Sequence, residues 1–350
     1  MNLTKALLAC TVVAASATGA AAADWWPFSI AAAKDGDLNR IEQIDYVPLD
    51  KAEKPWNLCV LFPHLQDSYW LSVNYGVAEE AKRLGAKFTL LQAGGYSNLP
   101  RQISQYDDCL AAGADAILIG AISEAGLAAK INEGMAKGVV NIALANPILE
   151  TPVTARITPD YRAKGFETGE LVKKHLGDKG GAAVGFPGPQ GSGWAETYME
   201  GFREATSTGP VKLLAEMFGE ASVPAQLRLV EDALQTYPDM TVIWGGAPTA
   251  EAAIGAVADA GRDDVTIIAS YENQTMLSAV KDGKVLAFAT EYPVIMGRIG
   301  VDLAVRALEK KDHEKVLLVS PGLVTRDNVG SIDTTQIFAP AGFQPVFSAE

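Results

Sequence analysis

The sequence predicts an α/β fold of two doubly wound, Rossmann-like lobes joined by a three-segment hinge, with a ligand cleft between them. Two observations carry that expectation. From Trp56 onward, short apolar runs alternate with longer amphipathic stretches, the pattern of βαβ units and mostly parallel sheets. The runs also repeat. Those at 58–62 (LCVLF), 88–91 (FTLL), 116–119 (AILI) and 139–144 (VVNIAL) map onto 182–186 (AAVGF), 211–216 (VKLLAE), 241–244 (TVIW) and 265–269 (VTIIA), each at an offset of roughly 125 residues.

Taken in order, the chain opens MNLTKALLACTVVAASATGAAAADWW. Lys5 supplies a basic start, Ala6 to Ser16 an apolar stretch, and Ala21-Ala22-Ala23 a small-residue cleavage site before Asp24. Residues 1–23 therefore read as a secretory signal peptide. Only about four apolar residues precede Cys10, too few for a lipid-attachment signal. No later stretch reaches the roughly 18 apolar residues of a membrane span. An exported chain, cut near Ala23, is expected.

Residues 24–55 form an N-terminal extension without the strand-helix repeat. The extension either wraps its own first lobe, the favoured reading because exposed aromatic clusters need a reason, or presents Trp25, Trp26 and Phe28 to a partner. The first lobe is expected at 56–159 plus about 292–318, and the second at 160–291 plus about 319–350. A further run, VLAFA at 285–289, the helical stretch PVIMGRIGVDLAVRALEKK and a strand LLVSP carry the chain back and forth between them.

Charge and cysteine content narrow the function. Removing Lys5 takes the net charge from −13 to −14, which argues against nucleic acid and anionic membranes as partners. Cys59 and Cys109 are the two cysteines after the leader. They could pair in an oxidising compartment, while a buried free thiol at Cys59, in an apolar strand pattern, is given at least equal weight. Neither lies in a CxxC or zinc-type spacing, so no metal and no thiol chemistry is expected.

Open α/β sheets bind ligands beyond the carboxyl ends of their strands. That rule nominates 63–70 (PHLQDSYW), 120–124 (GAISE), 145–148 (ANPI), 160–161 (DY), 186–194 (FPGPQGSGW), 245–248 (GGAP), 270–273 (SYEN) and 290–292 (TEY). They hold Tyr69, Trp70, Tyr161, Trp194, Tyr271 and Tyr292, with carboxylates at Asp67, Asp160, Glu272 and Glu291, and no Arg or Lys. Anionic ligands would need Arg. Rings with one or two carboxylates suit a small methylated ammonium or amine oxide. A single aromatic at a strand end is more often core than ligand contact. Tyr69 and Trp70 are adjacent where a helix begins, however, so one of them is expected to face the cleft. Tyr292 precedes Pro293 and could serve only to pack the hinge. The candidate ligand residues are Asp67, Ser68, Tyr69, Trp70, Asp160, Tyr161, Trp194, Tyr271 and Glu291.

Catalytic and cofactor motifs are thin. GPQGSGW is not GxSxG, no GxGxxG or GxxxxGK[ST] follows a strand, and His64, His175 and His313 are scattered. Binding without chemistry, and without a cofactor, is the expectation.

With its two-lobed repeat and the segment FPHLQDSYWLSVNYGVAEEAKRLGA, the chain resembles the type I periplasmic binding proteins related to ribose-binding protein. WNLCVLFPHLQDSYWLSVNYG, AGGYSNL at 93–99 and PAGFQPVF at 340–347 resemble the branch that senses trimethylamine N-oxide (TMAO). The resemblance implies a sensor of TMAO that binds the periplasmic domain of a hybrid histidine kinase and so helps switch on TMAO respiration. It also implies a cleft role for Ser68, Tyr69 and Trp70. Sugar-binding relatives end the seventh or eighth strand in Gly-x-Asp, where this chain has Ala269-Ser270-Tyr271. The alternative is a solute-capture protein of an ABC importer for a sugar or quaternary amine, and an enzyme is the third class.

Overall fold

The structure, a computed structural model, describes residues 24–350. The signal peptide expected at 1–23 lies outside the described residues. The chain begins with a hairpin, β1 (Phe28–Ala33) and β2 (Ile41–Tyr46), followed by β3 (Asn57–Phe62) and α1 (Ser68–Leu84). Strand-helix units continue through β4 (Lys87–Gln92), α2 (Leu99–Ala111), β5 (Ala116–Ile119), α3 (Glu124–Ala136), β6 (Val140–Leu144) and β7 (Ala155–Pro159). Strand β7, whose sequence ARITP is broken by Arg156 and Thr158, is not among the apolar runs.

The second lobe repeats the scheme. After α4 (Tyr161–Leu176) come β8 (Gly181–Phe186), α5 (Trp194–Thr206), β9 (Val211–Glu216), α6 (Val223–Thr236), β10 (Val242–Gly245) and α7 (Ala247–Asp259). Strand β11 (Thr266–Ala269), α8 (Gln274–Lys281) and β12 (Ala287–Thr290) complete it, before α9 (Pro293–Leu308), β13 (Val316–Val319), β14 (Gly322–Thr325) and β15 (Ser348–Ala349). One sheet runs β15-β4-β3-β5-β6-β7-β13-β1-β2 and the other β14-β12-β11-β10-β8-β9. The order β4-β3-β5-β6-β7 and the order β9-β8-β10-β11-β12 are the same doubly wound permutation, which is the repeat the apolar runs announced. All the ladders within each five-strand set are parallel.

The repeat extends to helix packing. A Cβ on Gly76 of α1 would lie 2.1 Å from the Val294 carbonyl oxygen of α9, and one on Gly297 would lie 2.4 Å from that of Val73. In the second lobe Gly165 of α4 meets the Tyr198 carbonyl at 2.1 Å, and Gly201 of α5 meets that of Arg162 at 2.0 Å. In each lobe one helix leads in from the hinge and one follows the first strand, and they cross backbone to backbone. Only glycine permits that approach.

Three connections pass between the sheets, after β7, after β12 and after β13, and the tail then returns from β14 to β15 in the first sheet. The segment assigned by sequence to the second lobe, 319–350, is thus divided. Strand β14 pairs with β12, whereas β15 adds antiparallel to β4. A two-residue strand carries too little pattern to be read in advance. The N-terminal extension lies against its own lobe: β1 pairs with β13, Trp25 is buried, and its indole donates to Glu80 at 3.1 Å. Tyr46 donates to the buried Asp302 of α9 at 2.5 Å. Cys59 of β3 and Cys109 of α2 are joined in a disulfide.

Candidate ligand cavity between the lobes

The carboxyl ends of the strands in both sheets converge on one buried cavity. Its wall is His64, Asp67, Tyr69 and Trp70 after β3, Tyr96 after β4, Asn146 after β6 and Tyr161 after β7. From the second lobe and hinge come Trp194 and Tyr198 of α5, Ala221, Tyr271 after β11 and Glu291 after β12. The space open to the centre of a water molecule is about 20 Å³. That is room for one or two waters, since one water centre needs roughly 10–15 Å³.

Tyr69 and Trp70, both among the expected ligand residues, both line it. Asp67 caps α1 by accepting from the Trp70 amide at 3.0 Å, which fixes the first turn with both rings toward the cavity. Trp70 also packs on Phe62 at 4.7 Å between centroids and over Gly120, where a Cβ would lie 2.5 Å from the indole. The same ring therefore serves core and cavity. The rings meet mostly edge to face: Tyr69 with Tyr271 at 5.8 Å, Tyr96 with Trp194 at 5.8 Å, Tyr161 with Tyr198 at 5.0 Å and Trp194 with Tyr271 at 6.0 Å.

Glu291 is the charged centre of this box, 2% exposed. One carboxylate oxygen accepts from the Tyr69 hydroxyl at 2.5 Å and the other from the Tyr198 hydroxyl. Behind it, Glu272 accepts from Thr290 Oγ1 and from the Glu291 amide, both at 2.8 Å. The fully buried Lys164 of α4 donates to the Thr290 carbonyl. Burial, and next the Glu291 charge, push Glu272 up to about 7. Burial also raises Glu291, against the opposing pull of Lys164 and the two phenols, and burial lowers Lys164. Tyr69, Tyr161 and Tyr198 are held well above the ordinary phenol range by burial and then by Glu291, so they stay neutral donors.

Two polar details complete the wall. Tyr161 donates to the Ala145 carbonyl at 2.5 Å, and Ala145 has a left-handed φ of 62°. Asn146 donates to Tyr96 Oη at 3.0 Å and to the Ala121 carbonyl at 2.7 Å. The buried Trp194 indole N–H lies near the Tyr96 hydroxyl without a well-formed hydrogen bond to it, a donor that a ligand oxygen could engage. Among the described residues, no Arg or Lys lines the cavity. Among the described residues, no cluster of His, Cys, Asp and Glu could hold a metal ion, and no helix is long and apolar enough to cross a membrane.

Of the expected residues, Asp67, Tyr69, Trp70, Tyr161, Trp194, Tyr271 and Glu291 are brought together in this wall. Ser68 and Asp160 are not. Asp160 caps α4, accepting from the Ala163 amide at 3.0 Å, and Ser68 Oγ accepts from the Gln274 amide at 3.2 Å. Both side chains are taken by the free amides of a helix start. Tyr198 was missed, although it follows Trp194 by one helical turn and that spacing could have found it. His64 and Asn146 sit in nominated segments, but nothing in their type marked them, and Tyr96 lies after β4, a strand end that was not nominated. Ala221 gave no signal.

The chain matches the model of the periplasmic binding protein domain over residues 58–312. It is 31% identical over 305 residues to the periplasmic protein TorT of Escherichia coli (strain K12), covering 85% of this chain and 86% of that one. To the ribose import binding protein RbsB of Bacillus subtilis (strain 168) it is 22% identical, over 72% of this chain and 82% of that one. Among solved structures, an ABC transporter solute binding protein from Bradyrhizobium sp. BTAi1 with bound bis-tris superposes with a TM-score of 0.80 at 42% identity. It covers 93% of this chain and 100% of that one. The complex of the TorS sensor domain with TorT in the presence of TMAO gives a TM-score of 0.73 at 26% identity, over 83% and 99% of the two chains.

Proposed function

Since the chain belongs to the periplasmic binding protein family, as a relative of TorT, we propose that it is a periplasmic protein whose cleft takes TMAO or a similar small methylated amine, and that it signals to the sensor domain of a TorS-like histidine kinase. The observation that carries the ligand reading is the aromatic box closed around Glu291.

The chemistry follows from the groups present. Methyls on a positively charged nitrogen cannot donate hydrogen bonds, and they pack against ring faces, each contact contributing about 0.5–2 kcal/mol. Glu291 accepts a phenol on each oxygen, so it supplies negative charge to the box without needing a donor from the ligand. The Trp194 indole N–H suits the ligand's oxygen. The small cavity favours TMAO over a pentose, which has twice the heavy atoms and demands paired polar partners. Asn146 already donates to two protein oxygens and Asp67 caps a helix, so few polar side chains remain for a sugar. Lobe closure around the ligand would present a state-specific surface to the kinase. The relatives are binding and sensor proteins, and the role of this chain is read as binding, without a catalysed reaction.

A second reading is solute capture for an ABC importer of an amine. The Bradyrhizobium solute binding protein favours it, because it is 42% identical over most of this chain and its bound bis-tris is a tertiary amine. Affinity capture from detergent-solubilised membranes with TMAO present tests the difference. Recovery of a histidine kinase supports the sensor reading, and recovery of a permease in its place contradicts it.

A further inference from the structure

Gln274 opens α8 in the second lobe, and both of its amides reach the first. Its backbone N–H donates to Ser68 Oγ at 3.2 Å, at the start of α1. Its side-chain amide donates to the Ala339 carbonyl, also at 3.2 Å. Ala339 belongs to the C-terminal tail, and its own N–H donates to Ser72 Oγ at 3.0 Å, while Ser72 donates to the Ser68 carbonyl at 2.6 Å. The three segments form one closed circuit of hydrogen bonds.

The tail is part of the first lobe in mechanical terms. The buried Asn74 of α1 makes a two-way pair with the backbone of Val346, 2.8 Å in each direction. Leu90 donates to the Phe347 carbonyl at 2.7 Å, and Phe343 packs edge-on against Tyr75 at 5.2 Å. Strand β15 then extends the first sheet. Separation of the lobes would therefore leave the tail on α1 and, within this circuit, break the two bonds from Gln274. A further bond crosses the cleft near Tyr96, whose backbone amide donates to Glu220 of the second lobe at 3.1 Å. Neither Ser68, Gln274 nor Glu220 lines the cavity.

We propose that Ser68, Gln274 and the strapped tail at Ala339 form a closure latch, which sets ligand affinity from outside the cavity by stabilising the closed arrangement of the lobes. The proposal rests on the cleft being the ligand site. A hydrogen bond made in the closed state alone raises the closed fraction, and the apparent dissociation constant varies inversely with that fraction. Ser68 is thereby a positioning residue and not a ligand contact.

The test compares Ser68→Ala, Ser68→Thr and Gln274→Ala with the wild-type protein. The Ala variants are expected to bind TMAO about fivefold more weakly through faster dissociation, with unliganded thermal stability unchanged. Ser68→Thr keeps the hydroxyl and is expected to keep the affinity. Small-angle scattering without ligand is expected to show both Ala variants more expanded than wild type. Unaltered affinity and unaltered scattering in both would overturn the latch. If wild type binds no TMAO, the cleft reading fails, and scattering alone decides: expansion supports the latch, and superimposable profiles reject it.

Discussion

The Tyr69 hydroxyl donates to Glu291 at 2.5 Å, joining the first turn of α1 to the residue that follows β12 at the hinge. One bond thus links a lobe, a hinge segment and the charged centre of the cavity. Tyr69→Phe keeps the ring and removes the donor from a buried carboxylate. Hydrogen bonds to charged groups contribute about 1.5–3 kcal/mol. TMAO affinity is expected to fall by about tenfold or more, with the fold retained by circular dichroism.

Trp194→Phe separates ring from donor. The aromatic wall survives, and the indole N–H disappears. Affinity for TMAO is expected to drop about fivefold, whereas tetramethylammonium, which has no oxygen, is expected to bind as before. Equal losses for both ligands would show that the indole acts by packing alone.

Glu272 gives the protein a pH signature. Its carboxyl stands at about 7 in the fold against an ordinary 4.5, first through burial and then through Glu291, with Lys164 opposing. The folded chain therefore holds a proton that the unfolded chain has lost between those values. Stability is expected to fall as pH rises from about 4.5 to 7, by up to about 3 kcal/mol, and to level above that. Glu291, raised by its own burial, acts in the same direction. Denaturant melts across that window are expected to show a flatter profile for Glu272→Gln.

Much of the fold was legible because buried parallel strands are short apolar runs, and the repeat at a constant offset doubled the signal. Strand β7 hid behind Arg156 and Thr158, and β1, β2, β14 and β15 hid because pairs at sheet edges need little apolar pattern. In the site, aromatic residues after strand ends were readable as Tyr69, Trp70, Tyr161, Trp194 and Tyr271. Lys164 was not, since a lysine in mid-helix looks solvated and only the tertiary packing of α4 buries it against Thr290. Tyr198 was recoverable from its spacing one helical turn after Trp194, whereas Asn146 is turned into the wall by the left-handed Ala145, which no local motif records.

Gly76→Ala tests the backbone crossing that carries Tyr69 and Trp70. The added methyl would sit 2.1 Å from the Val294 carbonyl, which cannot yield without moving α9. A loss of about 1–3 kcal/mol is expected from overpacking, read as a lower denaturation midpoint together with weaker ligand binding.

The disulfide between Cys59 and Cys109 closes a loop of sequence separation 50. Replacing both by serine is expected to cost about 2–4 kcal/mol of stability. The pair lies among the hydrophobic side chains packed around Ile117 and Ile131, away from the cavity wall, so TMAO affinity at low temperature is expected to be unchanged.

The most direct measurement is calorimetric titration of the protein, residues 24–350, with TMAO, alongside glycine betaine and ribose. Saturable binding of TMAO near the micromolar range, about −8 kcal/mol, lost in Glu291→Gln and absent for ribose, is the expected result. Heat from ribose with silence toward TMAO and glycine betaine would contradict the methylated-amine site.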